Sequence, residues 1–321
     1  MKVSVIMPVY NAAASLPRSL ASLRGQSFKD FELIAVDDCS SDGSGDIIKS
    51  FAEANGLSLK LLRHERNRGA AAARNTALDN AEGQYVAWLD ADDEMLPDTI
   101  EEMVKAADAN GWDVTGCEWL LAKSHSERYM SQAYFDTTVQ AIKNLMAGVM
   151  RWNLWLFLFR REAIGGLRFE EGMNMGEDMS FTLRLLMQAG SAGLVKKGLY
   201  RYMQNDASVS KTISESNVKQ VSHNLETVSA ALADSRFKSL AEPYIDFLKL
   251  NIKLPLLISD RKSDYLRWYG WWPESNGKAG ANKSLPARTR LLQQAAAHKC
   301  WTLVRLYNFL LNRIYYGIIY R

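Results

Sequence analysis

The first ~120 residues alternate apolar runs with helix-spaced leucines and alanines. A parallel sheet joined by crossover helices satisfies this rhythm. Residues 3–9 form an apolar run that ends in Pro8-Val9-Tyr10-Asn11, and Leu16, Leu20 and Leu23 follow at helical spacing behind Ser15 and Pro17. Residues 31–36 form a second run, cut off by Asp37-Asp38, with a Ser/Asp/Gly loop and a helix over 47–54 behind it. Residues 57–62 predict a third strand, 70–81 an Ala-rich helix closed by Gly83, and 85–89 a fourth strand that runs into Asp90-Ala91-Asp92-Asp93. A helix is expected from Pro97, since proline is tolerated in a first turn.

Three predicted strands thus end in Tyr10-Asn11, Asp37-Asp38 and residues 90–93. Acids are poor strand formers, and open α/β sheets bind ligands at the carboxyl ends of their strands. Beyond Gly111 the pattern predicts a strand over 113–121, a helix over 137–149, an aromatic strand over 152–159, a loop over 173–178 and a helix through Phe181, Leu185 and Leu186. A strand follows over 194–202, and the chain past Ser210 reads as helical with a break over 272–286. At 321 residues, the chain suits two domains, or one α/β domain with an appendage.

Asp90 and Asp92 place two carboxylates one residue apart, as a hard divalent cation requires when waters and substrate phosphates complete its shell. The plain alternative is a helix start enriched in acids, and so short a motif does not decide between them. Asp37 and Asp38 can accept from a base N–H, or belong to a turn in which Ser41 or Asp42 caps the next helix. Arg68 and Arg74 suit phosphate, although an exposed helix arginine is the ordinary case. Glu177 and Asp178, after Gly176, can hold a general base or cap a helix. His64, His125, His223 and His298 have no metal-ligand spacing and read as structural or surface residues.

Together these segments resemble a family 2 glycosyltransferase. The resemblance runs from VSVIMPVYNAAASLPRSLASLRGQSFKDFELIAVDDCSSDGS through NRGAAAARNTALDNAEGQYVAWLDADDEMLPD to GEDMSFTLRLL and on to YRYMQNDASVS, about residues 1–210. It implies an α/β fold of GT-A type, a Rossmann-like, mostly parallel sheet flanked by helices, with a nucleotide-binding half over 1–110, an acceptor-side half over 111–210, and a helical, basic C-terminal region over 211–321. By the same resemblance Pro8 and Tyr10 border the nucleotide base, Asp38 accepts from it with Asp37 nearby, and Arg74 lies by the ribose or diphosphate. Asp92 is the metal-binding acid of the DXD motif, Asp90 supports it at metal or ribose, and Asp178 is the catalytic base, with Asp93 and Glu177 as runners-up. The implied cofactor is Mg²⁺ or Mn²⁺. The implied reaction is inverting transfer from a nucleotide-diphosphate sugar, UDP-linked, to a hydroxyl of a glycan acceptor carried on a lipid diphosphate, in bacterial surface-polysaccharide assembly. Two positions depart from the family pattern: Cys39 stands where glycine is usual, and Met203 where a basic residue is frequent, so that Ser208 and Ser210 become minor candidates for the diphosphate contact.

Charge separates the two ends of the chain. Residues 246–321 carry 13 Lys+Arg against 4 Asp+Glu, a net +9, and the preceding residues carry a net −6. Residues 301–321 predict a helix with a narrow polar stripe (Thr302, Arg305, Asn308, Asn312, Arg313) and a broad aromatic face, beside Trp268, Trp271 and Trp272. Basic charge with Trp and Tyr suits an anionic membrane surface, and packing against the catalytic domain or another subunit accounts for the same pattern. The acidic body argues against nucleic acid. Three scattered cysteines argue against a disulfide framework, the N-terminus lacks signal-peptide features, and no apolar run approaches the ~20 residues of a membrane span, so a cytoplasmic protein, peripheral at most, is expected. Three other classes fit less well. A nucleotidyltransferase needs a Gly-rich, basic phosphate loop near the first strand. A nucleotide-sugar-binding module without turnover has no need of both Asp92 and Asp178. A calcium-binding domain needs EF-hand spacing.

Overall fold

A computed structural model describes residues 1–123, 126–204, 214–259 and 261–310. Ser208, Ser210, His125 and residues 311–321, with Asn312, Arg313 and Tyr315, lie outside them. The strands are β1 (Val3–Val9), β2 (Phe31–Asp37), β3 (Leu59–Arg63), β4 (Tyr85–Trp88), β5 (Glu94–Met95), β6 (Val114–Lys123), β7 (Ser126–Met130), β8 (Phe157–Arg160) and β9 (Ala192–Met203). They form one sheet in the order β3-β2-β1-β4-β8-β6-β9-β5, with β7 paired to β6. Strands β3, β2, β1 and β4 are parallel, β8 is antiparallel to both neighbours, and β6 and β9 run parallel.

Strands β2 and β4 are buried throughout and β1 at every position except Pro8. Helices cover both faces of such strands, which is why they read as continuous apolar runs. The helices of this part are α1 (Leu16–Arg24), α2 (Ser44–Asn55), α3 (Ala70–Asp79) and α4 (Thr99–Asn110). The chain continues through α5 (Thr138–Met146), the short α6 (Arg161–Ile164), α7 (Glu177–Gln188) and α8 (Glu215–Ala233). Seven residues of α3 are buried, four of them alanines. Helix α3 stops at Asp79 with Asn80 closing it, so Gly83 is not its cap. Gly83 instead lies under β1, where a Cβ would stand 2.4 Å from the Ser4 nitrogen.

Other expectations shift by small, local causes. Helix α4 opens at Thr99 because the Pro97 carbonyl is used by the Ser27 N–H at 2.7 Å. The aromatic strand expected over 152–159 is a single 3₁₀ turn, Leu154–Leu156, followed by β8: the Leu156 N–H turns back to the Asn153 carbonyl at 3.1 Å, and the Trp152 carbonyl is held by Thr182 on α7 at 2.9 Å. Glu177 and Asp178 fall in the first turn of α7, not in the loop before it.

Two compact units emerge: residues 1–141 with 151–231, and residues 142–150 with 232–321. Helix α8 therefore belongs largely to the sheet unit, past the boundary expected near 210. The second unit contains α9 (Ala241–Ile252), α10 (Lys262–Gly270), α11 (Ala287–Ala297) and α12 (Trp301–Leu310). Residues 142–150 join it through Asn282, whose Nδ2 donates to the Ala147 carbonyl at 2.9 Å. Lys253 is fully buried there, donating to the Trp271 and Trp272 carbonyls and to Asn276 Oδ1.

Helix α12 does not present the stripe expected of it. Asn308, assigned to the polar stripe, is buried with Val304, and its amide bonds the Leu257 carbonyl at 2.6 Å and the Tyr265 hydroxyl at 3.1 Å. The amide thereby satisfies a carbonyl of the short 3₁₀ turn Leu254–Leu257. Leu303, Leu306, Phe309 and Leu310 are exposed, as are Leu266 on α10 and Leu291 on α11. Trp268 is wholly buried, with the Lys253 ammonium 4.4 Å from its ring. Among the described residues no helix is long and apolar enough to cross a membrane.

Candidate active site

Parallel pairing aligns the carboxyl ends of β1, β2 and β3: Val9 is level with Asp37, and Asp37 with Arg63. Tyr10 follows β1 and is 54% exposed, its ring open to stack on a base. Pro8 is half-buried one turn of the pleat earlier. Asn11 ties the two strand ends together, since its N–H donates to Ser40 Oγ at 3.0 Å and its Oδ1 accepts from the Ser41 N–H at 2.9 Å. Asp37 is buried; Oδ1 accepts from the Ser40 N–H at 2.8 Å, and Oδ2 lies 3.4 Å from the Arg63 guanidinium. Asp38, also buried, uses both oxygens inside the protein. Oδ1 accepts from the Arg68 N–H at 2.8 Å and meets His64 Nδ1 at 2.6 Å, and Oδ2 accepts from the Gly69 N–H at 2.7 Å. Asp38 thus shapes the entry to α3. Cys39 adopts φ +65°, the left-handed region that favours glycine.

The second group converges from β4, α3 and α7. Arg74, buried on α3, places Nη1 2.9 Å from Glu177 Oε1 and 3.1 Å from Asp178 Oδ1. Its guanidinium lies over the Phe169 ring and also acts electrostatically on Asp90. Burial raises the Asp178 pKa to about 7, with Arg74 pulling it down and Glu177 and Asp90 pushing it up. Asp178 Oδ1 is ion-paired yet accepts no hydrogen bond. Burial likewise raises Asp90 to about 6, opposed by Arg74 and reinforced by Asp92.

Asp93 has a different environment. Its Oδ1 accepts from the Met203 N–H at 2.7 Å and its Oδ2 from the Tyr200 hydroxyl at 3.0 Å, and burial pushes its pKa up to about 9. The Tyr200 hydroxyl also accepts from the Asp90 N–H at 3.2 Å. From below, Ser19 Oγ bonds the Ala91 and Asp93 carbonyls at 2.9 and 2.6 Å, and Arg18 donates to the Asp92 carbonyl at 2.6 Å. Because Met203 acts through its backbone, the missing basic side chain does not affect this contact.

The carboxylates at 90 and 92 are hard oxygen donors at a strand end, and the Asp90 charge is destabilised by burial and by Asp92. Among the described residues no three His, Cys, Asp or Glu side chains gather into a metal cage. That set fits an Mg²⁺ or Mn²⁺ that takes its other oxygens from a diphosphate and water. Asp93 is a poorer donor, since both of its oxygens are engaged. Sequence reasoning did not find Tyr200 as the bridge between Asp90 and Asp93, or His64 as the buried partner of Asp38.

The profile of glycosyl transferase family 2 matches residues 4–169, more than half of the chain. The chain belongs to this family. Its relatives include the uncharacterized glycosyltransferases EpsJ of Bacillus subtilis, 28% identical over 218 residues (65% of this chain, 63% of EpsJ), and YibD of Escherichia coli, 31% identical over 229 residues (67% and 65%). The matches therefore span less than two thirds of these relatives' own length. The minor teichoic acid biosynthesis protein GgaB of B. subtilis is 27% identical over 266 residues, 80% of this chain and 29% of GgaB. Among solved structures, S. aureus TarS in complex with UDP-GlcNAc superposes with a TM-score of 0.72 at 20% identity, covering 98% of this chain and 92% of that one. The mannosyltransferase PcManGT of Pyrobaculum calidifontis, solved with GDP-Man and Mn²⁺, gives 0.59 at 21% identity, covering 96% and 85%. The family 2 chain thus has the GT-A α/β fold with a helical C-terminal region.

Proposed function

We propose that this family 2 chain is an inverting glycosyltransferase of bacterial polysaccharide synthesis, using a UDP-linked sugar as donor and a glycan hydroxyl, carried on a lipid diphosphate, as acceptor. The observation that carries the reading is the convergence of Asp90, Arg74 and Asp178, with the Asp178 pKa near 7. A carboxylate with that pKa, one oxygen free of hydrogen bonds, suits a general base near neutral pH. Tyr10 stacks on the base, with Pro8, Asp37 and Asp38 shaping its pocket. Asp178 takes the proton of the acceptor hydroxyl. The oxygen forms its bond to the anomeric carbon from the face opposite the diphosphate, and the bond from that carbon to the diphosphate oxygen breaks. Arg74 holds the Asp178 carboxylate ionised and oriented. A divalent ion held by Asp92 and Asp90 would offset the charge of the departing diphosphate.

UDP-GlcNAc on TarS and GDP-Man with Mn²⁺ on PcManGT support a nucleotide sugar and a divalent ion for this fold. In the reading, the enzyme works at the cytoplasmic membrane face. The exposed leucines and Phe309 of α12 insert between headgroups and the surrounding Lys and Arg meet anionic lipid, each contributing about 1 kcal/mol near the surface. The test is a panel of nucleotide sugars with Mn²⁺ and oligosaccharide acceptors, read by nucleoside diphosphate release and by the anomeric coupling of the product. An inverted product supports the reading. A retained configuration, or no release from any donor, overturns it.

A further inference from the structure

The segment 169–176, which delivers Glu177 and Asp178, is anchored at both ends, and the second anchor lies beyond the region matched by the family profile. At its start Asn75 on α3 clamps Phe169, donating to its carbonyl and accepting from its N–H, each at 2.9 Å. At its end the anchors come from α8. Asn224, 2% exposed, donates from Nδ2 to the Met175 carbonyl at 3.0 Å. Gln220 Oε1 accepts from the Asn174 N–H at 2.9 Å, and His223 Nε2 lies 2.8 Å from Glu170. Gly176 follows at φ +80°, so the chain turns into α7 immediately after the bond that Asn224 holds.

The same segment touches the nucleotide edge. Arg68 Nη2 meets the Glu171 carboxylate at 2.8 Å, and Gly69 lies so close to Asn174 that a Cβ would approach its Oδ1 to 2.5 Å. The N–H groups of Arg68 and Gly69 are those that Asp38 holds. A single connected path therefore runs from Asp38 through 68–69 and 171–175 to Asp178.

We propose that α8 is a brace for the general base, with Asn224 and Gln220 as positioning residues that fix the 173–176 turn and so aim Asp178 at the acceptor hydroxyl. This deepens the glycosyltransfer reading and rests on it. The physical basis is local. Apart from its pairing with Arg74 and its hydrogen bond from the Leu154 backbone, the aim of Asp178 depends on where α7 starts, and α7 starts where the Met175 carbonyl is held. A misplacement of about 1 Å at such a group lowers rate on the order of 100-fold.

The experiment uses the full chain in the variants Asn224→Ala, Gln220→Ala, Gln220→Glu and Val228→Ala. Val228 is a buried residue one turn further along α8, and its truncation loosens the helix without removing an anchor. Expected for Asn224→Ala and Gln220→Ala are a fall in kcat of roughly 10–100-fold, a Kd for UDP within twofold of the wild type, and faster amide exchange over 173–180 with exchange over 85–93 unchanged. Gln220→Glu keeps the acceptor for the Asn174 N–H and restores most of kcat, and Val228→Ala keeps kcat well below its melting temperature. Unchanged exchange over 173–180 in Asn224→Ala, or an equal loss of kcat in Val228→Ala, overturns the brace. Failure of the glycosyltransfer reading is separate: the wild type then releases no nucleoside diphosphate from any donor, and the exchange data still decide whether α8 fixes the turn.

Discussion

Replacing Arg74 with methionine keeps most of the side-chain volume and removes the charge that faces Glu177, Asp178 and Asp90. An opposite charge within 4–6 Å lowers a carboxyl pKa by about 1–3 units, so losing it raises Asp178 from about 7 to roughly 8–10. At pH 7 the ionised fraction then falls from about one half to between roughly a tenth and a thousandth, a ~5- to 500-fold loss in kcat if Asp178 must be ionised, at about 1.4 kcal/mol per unit. The stability effect has a defined sign. A carboxyl whose folded pKa lies above its ordinary 3.8 stabilises the fold while protonated, and that contribution is lost as pH rises through the folded value. Without Arg74 the loss continues to higher pH, so Arg74→Met is destabilised more at pH 9 than at pH 5. Breaking a buried pair costs about 3–5 kcal/mol once both groups are charged. The assays are kcat by nucleoside diphosphate release from pH 6 to 9.5 and thermal denaturation at pH 5 and 9. The acid limb of kcat should move up by one or more units, and activity should partly recover at pH 9. An unmoved limb, or an equal loss at every pH, refutes the claim that Arg74 acts through the ionisation of Asp178.

Asp178→Asn should keep UDP affinity by titration calorimetry and lose about 10²–10⁴-fold in kcat; near-wild-type turnover would move the base to Glu177 or elsewhere. Asp92→Asn should fold normally, bind Mn²⁺ more weakly in the presence of UDP and lose most turnover, whereas EDTA-treated wild type working at full rate would count against the metal assignment. Leu306→Gln with Phe309→Gln should lower co-sedimentation with anionic liposomes at unchanged melting temperature, and equal binding by this variant and the wild type would remove α12 from the membrane reading.

Strands β1, β2 and β4 were legible as sequence because they are buried on both faces, which produces uninterrupted apolar runs. Strands β5 and β7 were not. Strand β5 is two residues long and exists through pairing with β9, Glu94 against Arg201, and β7 reads SERYM with no buried position. In the site, the acids at strand ends were visible because they contradict strand propensity. Tyr200 reaches Asp93 across 107 positions and Asn224 reaches Met175 across 49. Neither the period of a helix nor that of a strand encodes such a meeting. The face of α12 departs from the expected polar stripe at Asn308, whose amide fills the hydrogen-bonding needs of a turn 51 positions away.

Gly83 carries none of the chemistry, yet it governs the thickness of chain that fits beneath β1. The register pairs Val3 with Tyr85 and Ile6 with Trp88, so Tyr10 and Asp90 lie at the far ends of two strands whose near ends meet beside this glycine. At about 3.3 Å per residue, Tyr10 is roughly 20 Å away. A methyl group at position 83 would nonetheless act there as a wedge acts on a hinge. It would meet the Ser4 nitrogen at 2.4 Å and the Val3 carbonyl carbon at 2.7 Å, pressing on the strand that leads to Tyr10 beside the strand that leads to the acids. The two halves of the site share one fulcrum, and the smallest residue in the chain occupies it.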